Sequence, residues 1–300
     1  MMFYRFKTFT TSYYFPNIDK TTSFMYGLYS AYGGRLAKIY WYLFKKFKLV
    51  RLCTAVRDCD LDFPYQLIRS VDGTDSIMAF NMGSPGVEQK ISILGFDYQK
   101  LTPFFAKFSQ KPVAMALTKN EVEVYRILNQ TGLVPQLLGE RITDEYAYLK
   151  AEYIKGARPS SMDLTDAILD LCVRLKDFHL TEEMVNPNGL KLSLSHGDFC
   201  PWNMLVDGRD TKLIDWELAA DRPLGADLFT YITQISILFS PDKPLKTAVS
   251  EKDSYIARFF LTCGIKDYKP YLRAFAEERV AYEMSKGNHE RAEKFKELLS

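Results

Sequence analysis

SLSHGDFCPWNMLVDGRDTKLIDWE, Ser193 to Glu217, sets Asp198, Asn203 and Asp215 at the ends of short apolar runs. The two runs that flank Asp207-Gly208 read as arms of a hairpin, because Asp-Gly supplies the positive backbone angles of a tight turn. Asp207 and Asp210 are then turn residues. A tight hairpin brings Asn203, ahead of the first arm, close to Asp215, at the end of the return arm. One amide and one carboxylate are hard oxygen donors that suit Mg²⁺, a cation that keeps several waters and shares itself with substrate phosphates. Asp198 stands outside that pair, available to accept a proton.

Working outward, ILDLCVRLKDFHL before this stretch and DLFTYITQISILF and RAFAEERVAYEMSKG after it carry helix periods. Upstream, SIMAFNMGSPG, EQKISILGF and PFFAKFS read as three short strands, the first two separated by the turn Gly83-Ser84-Pro85-Gly86. KNEVEVYRILNQTG follows as a helix, with Val122, Tyr125 and Leu128 on one face and Gly132 closing it. EYAYLKAEYIKG alternates as two more strands, and IKGARPSS supplies a connector, so a lobe boundary falls at about residue 155. Strands before the connector and helices after it predict an α+β chain with two segregated lobes.

The 300 residues are 47% apolar and 25% charged, ordinary for a globular chain of one large domain or two lobes. Five cysteines form an odd set without a CxxC pair, and they read as reduced cytosolic thiols. The opening MMFYRFKTFTTSYYF alternates polar and aromatic residues and lacks the continuous apolar stretch of a secretory signal, and no 18-residue apolar run follows. Residues 1–52 hold nine Lys or Arg against Asp19 alone, together with 16 of the 43 aromatics. From Phe24 to Leu52 a helix period appears, in Leu36, Ile39, Tyr40, Leu43, Phe44 and Phe47, with Lys38, Lys45, Lys46 and Lys48 between. Residues 1–75 therefore read as a basic, aromatic helical extension packed on the strand lobe. The same composition leaves open a peripheral contact with an anionic membrane or glycolipid; nucleic acid is not expected.

HGD at 196–198, Asn203 and IDWE at 214–217 resemble the catalytic and metal-binding motifs of the aminoglycoside phosphotransferase and choline kinase-like family, the small-molecule relatives of protein kinases. The resemblance spans roughly residues 76–230. It implies a two-lobed protein kinase-like fold, with a strand-rich N-lobe over 76–154 and a mainly helical C-lobe over 155–300. It also implies ATP and Mg²⁺ as cofactors. Carried over residue by residue, it makes Asp198 the base for the acceptor hydroxyl and makes Asn203 and Asp215 the metal ligands. His196 would brace the loop, and Asp227 would hold that loop from the next helix. Lys107 would grip the α- and β-phosphates with Glu121 as its ion-pair partner. Glu121 is preferred over Glu123 because it shares a helix face with Tyr125 and Leu128. Gly83 and Gly86 would cover the phosphates, although Pro85 removes one donor there. Adenine would bond the backbone near Glu152 to Ile154.

Two departures bear on the acceptor. Protein kinases carry Arg where this chain has Gly197, and only eleven residues separate Asp215 from Asp227, too few for a peptide-docking platform. The expected activity is ATP- and Mg²⁺-dependent phosphorylation of a hydroxyl on a small molecule or saccharide. The alternatives are a nucleotide-binding regulatory module without turnover and a membrane-peripheral kinase of saccharide lipids. Cys200 and Trp202 read as packing residues, Glu217 as a second metal ligand or a loop cap. The expected location is the cytoplasm, with or without membrane contact.

Overall fold

The aromatic alternation that opens the chain builds strands. In the computed structural model, which describes residues 1–28, 35–47, 49–208 and 210–300, β1 (Met2–Lys7) pairs antiparallel with β2 (Ser12–Pro16). Tyr and Phe at a two-residue period suit a pleated, half-buried surface. The extension does contain a helix, α1 (Arg35–Lys46), flanked by 3₁₀ turns at Ser23–Leu28 and Leu49–Leu52. It is thus part sheet and part helix, a correction to the wholly helical expectation. Lys48 lies outside the described residues, as do the side chains of Leu36, Lys38 and Lys45.

The chain divides into two compact units, Met1–Val122 with Pro135–Tyr153, and Glu123–Val134 with Ile154–Ser300. The first adds β3 (Thr54–Arg57), α2 (Tyr65–Asp72), β4 (Ser76–Asn81), β5 (Ile91–Asp97), β6 (Thr102–Ser109), β7 (Leu137–Ile142) and β8 (Ala147–Glu152). Among the described residues these strands form one eight-stranded antiparallel sheet in the order β3-β1-β2-β4-β5-β6-β8-β7. Two expectations need correcting. Helix α3 (Pro112–Leu128) begins seven residues before the KNEVEVYRIL stretch, because Pro112 is preorganised for a first helical turn. EYAYLKAEYIKG yields one strand, β8, since the Thr143 to Tyr146 turn uses its opening residues and the partner strand, β7, precedes that turn.

The sheet is buried on both faces, which is why its central strands read as continuous apolar runs. Along β4, Met78 and Phe80 join one core with Tyr65, Ile68 and Val71 of α2, whereas Ile77 and Ala79 join a second core with Trp41 and Phe44 of α1. Across the first core runs a buried ion pair: Lys150 of β8 donates to Asp72 at 2.7 Å and sits 3.9 Å from the Phe104 ring centroid. The Tyr148 hydroxyl, at 2.8 Å, and the Thr74 hydroxyl also donate to Asp72. Burial raises the Asp72 carboxyl, but the Lys150 ammonium and the two hydroxyls outweigh it and hold the group below its ordinary value. Its contribution to stability is therefore present above pH 3.8 and is lost as the pH falls through the depressed value. Asp72→Ala leaves Lys150 as an uncompensated buried charge. The expected loss is about 3–5 kcal/mol, read as a lower urea midpoint at neutral pH that converges toward wild type in acid.

The second unit contains α4 (Asp166–Leu175), β9 (Leu192–Ser195), the hairpin β10 (Met204–Asp207) and β11 (Asp210–Leu213), β12 (Ala220–Pro223), and helices α5 (Ala226–Phe239), α6 (Leu245–Ser250), α7 (Asp253–Thr262), α8 (Lys269–Ser285) and α9 (His289–Lys296). The Thr165 hydroxyl caps α4 by accepting from the Ile168 N–H at 3.4 Å. Strand β9 pairs antiparallel with β12, and helix α5 is buried along most of its length, its Phe229 packing on Phe260 and Phe275.

Candidate active site

The loop that leaves β9 is fixed from beneath by one carboxylate. Asp227, in the first turn of α5, is buried and accepts from the Ser195 hydroxyl at 2.7 Å, the His196 N–H at 2.9 Å and the Gly197 N–H at 3.3 Å. Gly197 turns the chain at φ +82°, and a Cβ there would lie 2.3 Å from the Leu218 carbonyl oxygen. Only glycine meets both conditions. His196 is fully buried against Trp216, with ring centroids 4.4 Å apart. Its Nδ1 accepts from the Asp198 N–H at 3.3 Å, so Nε2 carries the proton and donates to the Ile214 carbonyl at 2.9 Å. One ring thus ties the loop to the chain just before Asp215.

Asp198 follows this turn with its carboxylate clamped. Asn203 Nδ2 donates at 2.8 Å to Oδ2 and at 2.9 Å to the Asp198 carbonyl, and the Trp202 indole N–H reaches Oδ2 at 3.4 Å. Both partners of the Asn203 amide are acceptors, so its nitrogen faces Asp198 and its oxygen is the atom it can offer a cation. The Cys200 thiol is pushed far up by burial and by the neighbouring Asp198 charge, which keeps it protonated and excludes it as a nucleophile.

The hairpin register pairs Met204 with Leu213, and the Ile214 N–H donates to the Asn203 carbonyl at 3.0 Å. Asn203 and Asp215 therefore flank the base of one hairpin. Arg209 of its turn lies outside the described residues. Asp215 adopts the left-handed conformation, φ 71° and ψ 53°, uncommon for a residue other than glycine and frequent where function demands it. A carboxylate oxygen of Asp215 and one of Glu217 lie within 4.8 Å of each other. Asn203, Asp215 and Glu217 thus offer the hard oxygen donors that Mg²⁺ takes.

The other singled-out residues belong mostly to the first unit. Lys107 of β6 donates to Glu121 of α3 at 2.6 Å with both groups buried, whereas Glu123 pairs with Arg126. A buried ion pair gives little net stability, because desolvation offsets the attraction, so its main effect is to fix the ammonium in place. Gly83, at φ +65°, donates to the Asn81 side chain at 3.0 Å, and the Gly86 carbonyl accepts from Lys111 at 2.7 Å. Those bonds anchor both ends of the β4–β5 turn. The Glu152 N–H is engaged with the Gln136 carbonyl at 2.9 Å, and Ile154 is buried at the start of the second unit's long segment.

The phosphotransferase enzyme family model matches residues 163–245, a segment that contains His196, Asp198, Asn203, Asp215 and Asp227. The chain is a phosphotransferase. No curated protein matches its sequence. Its fold is protein kinase-like, α+β with a strand-rich and a mainly helical part, and it is shared with solved small-molecule kinases. A Plasmodium vivax ethanolamine kinase aligns over 95% of this chain and 94% of its own, at TM-score 0.50 and 11% identity. A putative fructosamine-3-kinase from Haemophilus somnus 129PT aligns over 78% of this chain and 96% of its own, at TM-score 0.50 and 10% identity. The aminoglycoside phosphotransferase APH(4)-Ia aligns over 78% of this chain and 95% of its own, at TM-score 0.49 and 14% identity.

In the phosphotransferase, the passage from Asp215 to Asp227 holds one 3₁₀ turn and β12, whose pairing with β9 returns the chain directly to the loop's anchor. Two contributions were not legible as such in the sequence. Trp202, read as packing, also donates to Asp198. The need for glycine at 197 arises from Leu218, which no local pattern identifies.

Proposed function

We propose that the chain transfers the terminal phosphoryl group of ATP, with Mg²⁺, to a hydroxyl of a small molecule or saccharide. The observation that carries this reading is the clamped carboxylate: Asn203 and Trp202 hold Asp198 while Asp227 fixes the loop beneath it. In the reaction Asp198 orients the acceptor hydroxyl and takes its proton as the oxygen attacks the γ-phosphorus, and the bond to ADP breaks. Asn203 and Asp215, with Glu217 beside them, would hold the cation, which when bound neutralises charge on the phosphates. Lys107, steadied by Glu121, supplies a fixed positive charge for the α- and β-phosphates. Gly83, its N–H held by Asn81, would shape the turn from which Gly86 offers backbone to the same phosphates, and the backbone after Glu152, including Ile154, would meet the base.

The acceptor's charge is weakly constrained, since residues 155–300 carry 23 acids and 20 bases. The test is Mg²⁺-ATP turnover against a panel of sugars, amino alcohols and saccharides, with Asp198→Ala as control. Acceptor-dependent ADP release that vanishes in the variant is the expected result. Nucleotide binding without turnover on any acceptor would favour a regulatory module instead.

A further inference from the structure

The outward side of α1 departs from what a surface helix requires. Trp41 and Phe44 point into the sheet's second core, so the opposite side should be polar. It is not. Ile39, Tyr42, Leu43 and Lys46 recur at the i, i+3, i+4, i+7 spacing of a single face, with Ile39 54%, Tyr42 57% and Leu43 41% exposed. Phe47, 63% exposed, extends the face by one position. The Lys46 ammonium lies 5.9 Å from the ring centroids of both Tyr42 and Phe47. In the sequence, residues 20–57, which contain α1, carry eight Lys or Arg and no Asp or Glu.

We propose that this face of α1 docks on the surface of an anionic membrane. Apolar side chains that face outward on an amphipathic helix enter the boundary between headgroups and acyl chains, tyrosines favour that depth, and lysines rise to anionic headgroups. A twelve-residue helix is only about 18 Å long, and none of the described helices is long and apolar enough to cross a bilayer, so α1 lies on the surface. Charge decides between partners. A second copy of this chain would bring two acid-free basic segments together, a repulsive arrangement. A nucleic acid would answer the charge but leave Ile39 and Leu43 in water.

The test is flotation of the full chain with vesicles of phosphatidylcholine containing about 30 mol% phosphatidylglycerol, against pure phosphatidylcholine, at low and high salt. The expected result is binding to the anionic vesicles only, weakened by salt. Leu43→Glu with Phe47→Glu should reduce the bound fraction at least about tenfold, and Lys46→Glu about fivefold. All three positions are solvent-facing, so unchanged thermal melts serve as the folding control. Absence of flotation at low salt overturns the proposal, as does flotation insensitive to both variants. Sedimentation that reveals a dimer which Leu43→Glu dissolves, or retention on an oligonucleotide instead of vesicles, also overturns it. Each readout is binding alone, so its failure leaves the phosphotransfer reading untouched.

Discussion

Asp198→Asn lowers kcat by about 10²- to 10⁴-fold on any accepted hydroxyl while the KM for ATP stays nearly unchanged. The amide has the carboxylate's shape, and its oxygen can still accept from Asn203 and Trp202, so the loop keeps its form. What disappears is the proton acceptor and one negative charge. Phosphoryl transfer depends mainly on positioning and charge neutralisation, which survive the change, so a residual rate remains. The checking measurement is steady-state kinetics with both substrates varied, together with a thermal melt. A variant that keeps more than about a tenth of wild-type kcat would remove Asp198 from the role of base.

Asp227→Ala acts on the support instead. It strips the acceptor from the buried Ser195 hydroxyl, the buried His196 N–H and the half-buried Gly197 N–H. Each orphaned donor costs about 1–3 kcal/mol, so the combined loss of stability should reach about 2–5 kcal/mol once partial relaxation is allowed. Activity should fall further than the folded fraction does, because Gly197 and Asp198 lose their register against Asn203. Urea unfolding gives the first quantity, and kcat measured well below the midpoint gives the second. Wild-type stability in this variant would mean that the β9–β12 pairing holds the loop without Asp227.

The predicted hairpin, its turn and the residues at its base were legible because they lie in one stretch of chain whose apolar arms and Asp-Gly turn dictate their pairing. The helices of the second unit were legible for the same local reason, and Glu121 followed from the face it shares with Tyr125 and Leu128. Long-range partners left no such trace. Asp72 meets Lys150 across 78 residues, and neither position differs in pattern from an exposed charge. The first two strands were hidden in an alternation of polar and aromatic residues that did not reveal its partner, since β2 finds β4 across more than sixty residues. Trp202 illustrates a different limit, because an indole that donates to a carboxylate and one that only packs look the same in a sequence.

The pairing of Tyr13 with Asn81 and of Tyr14 with Phe80 gives the opening strands a protective role. Removing everything before Ser76, where the motif-bearing region begins, would bare a raw row of amide and carbonyl groups along β4 and strip aromatic cover from both sides of it. Such a shortened protein would recruit strands from its neighbours and precipitate. The leading quarter of the chain is for that reason an internal chaperone of the sheet's edge, and its residues must stay with any piece meant to remain in solution.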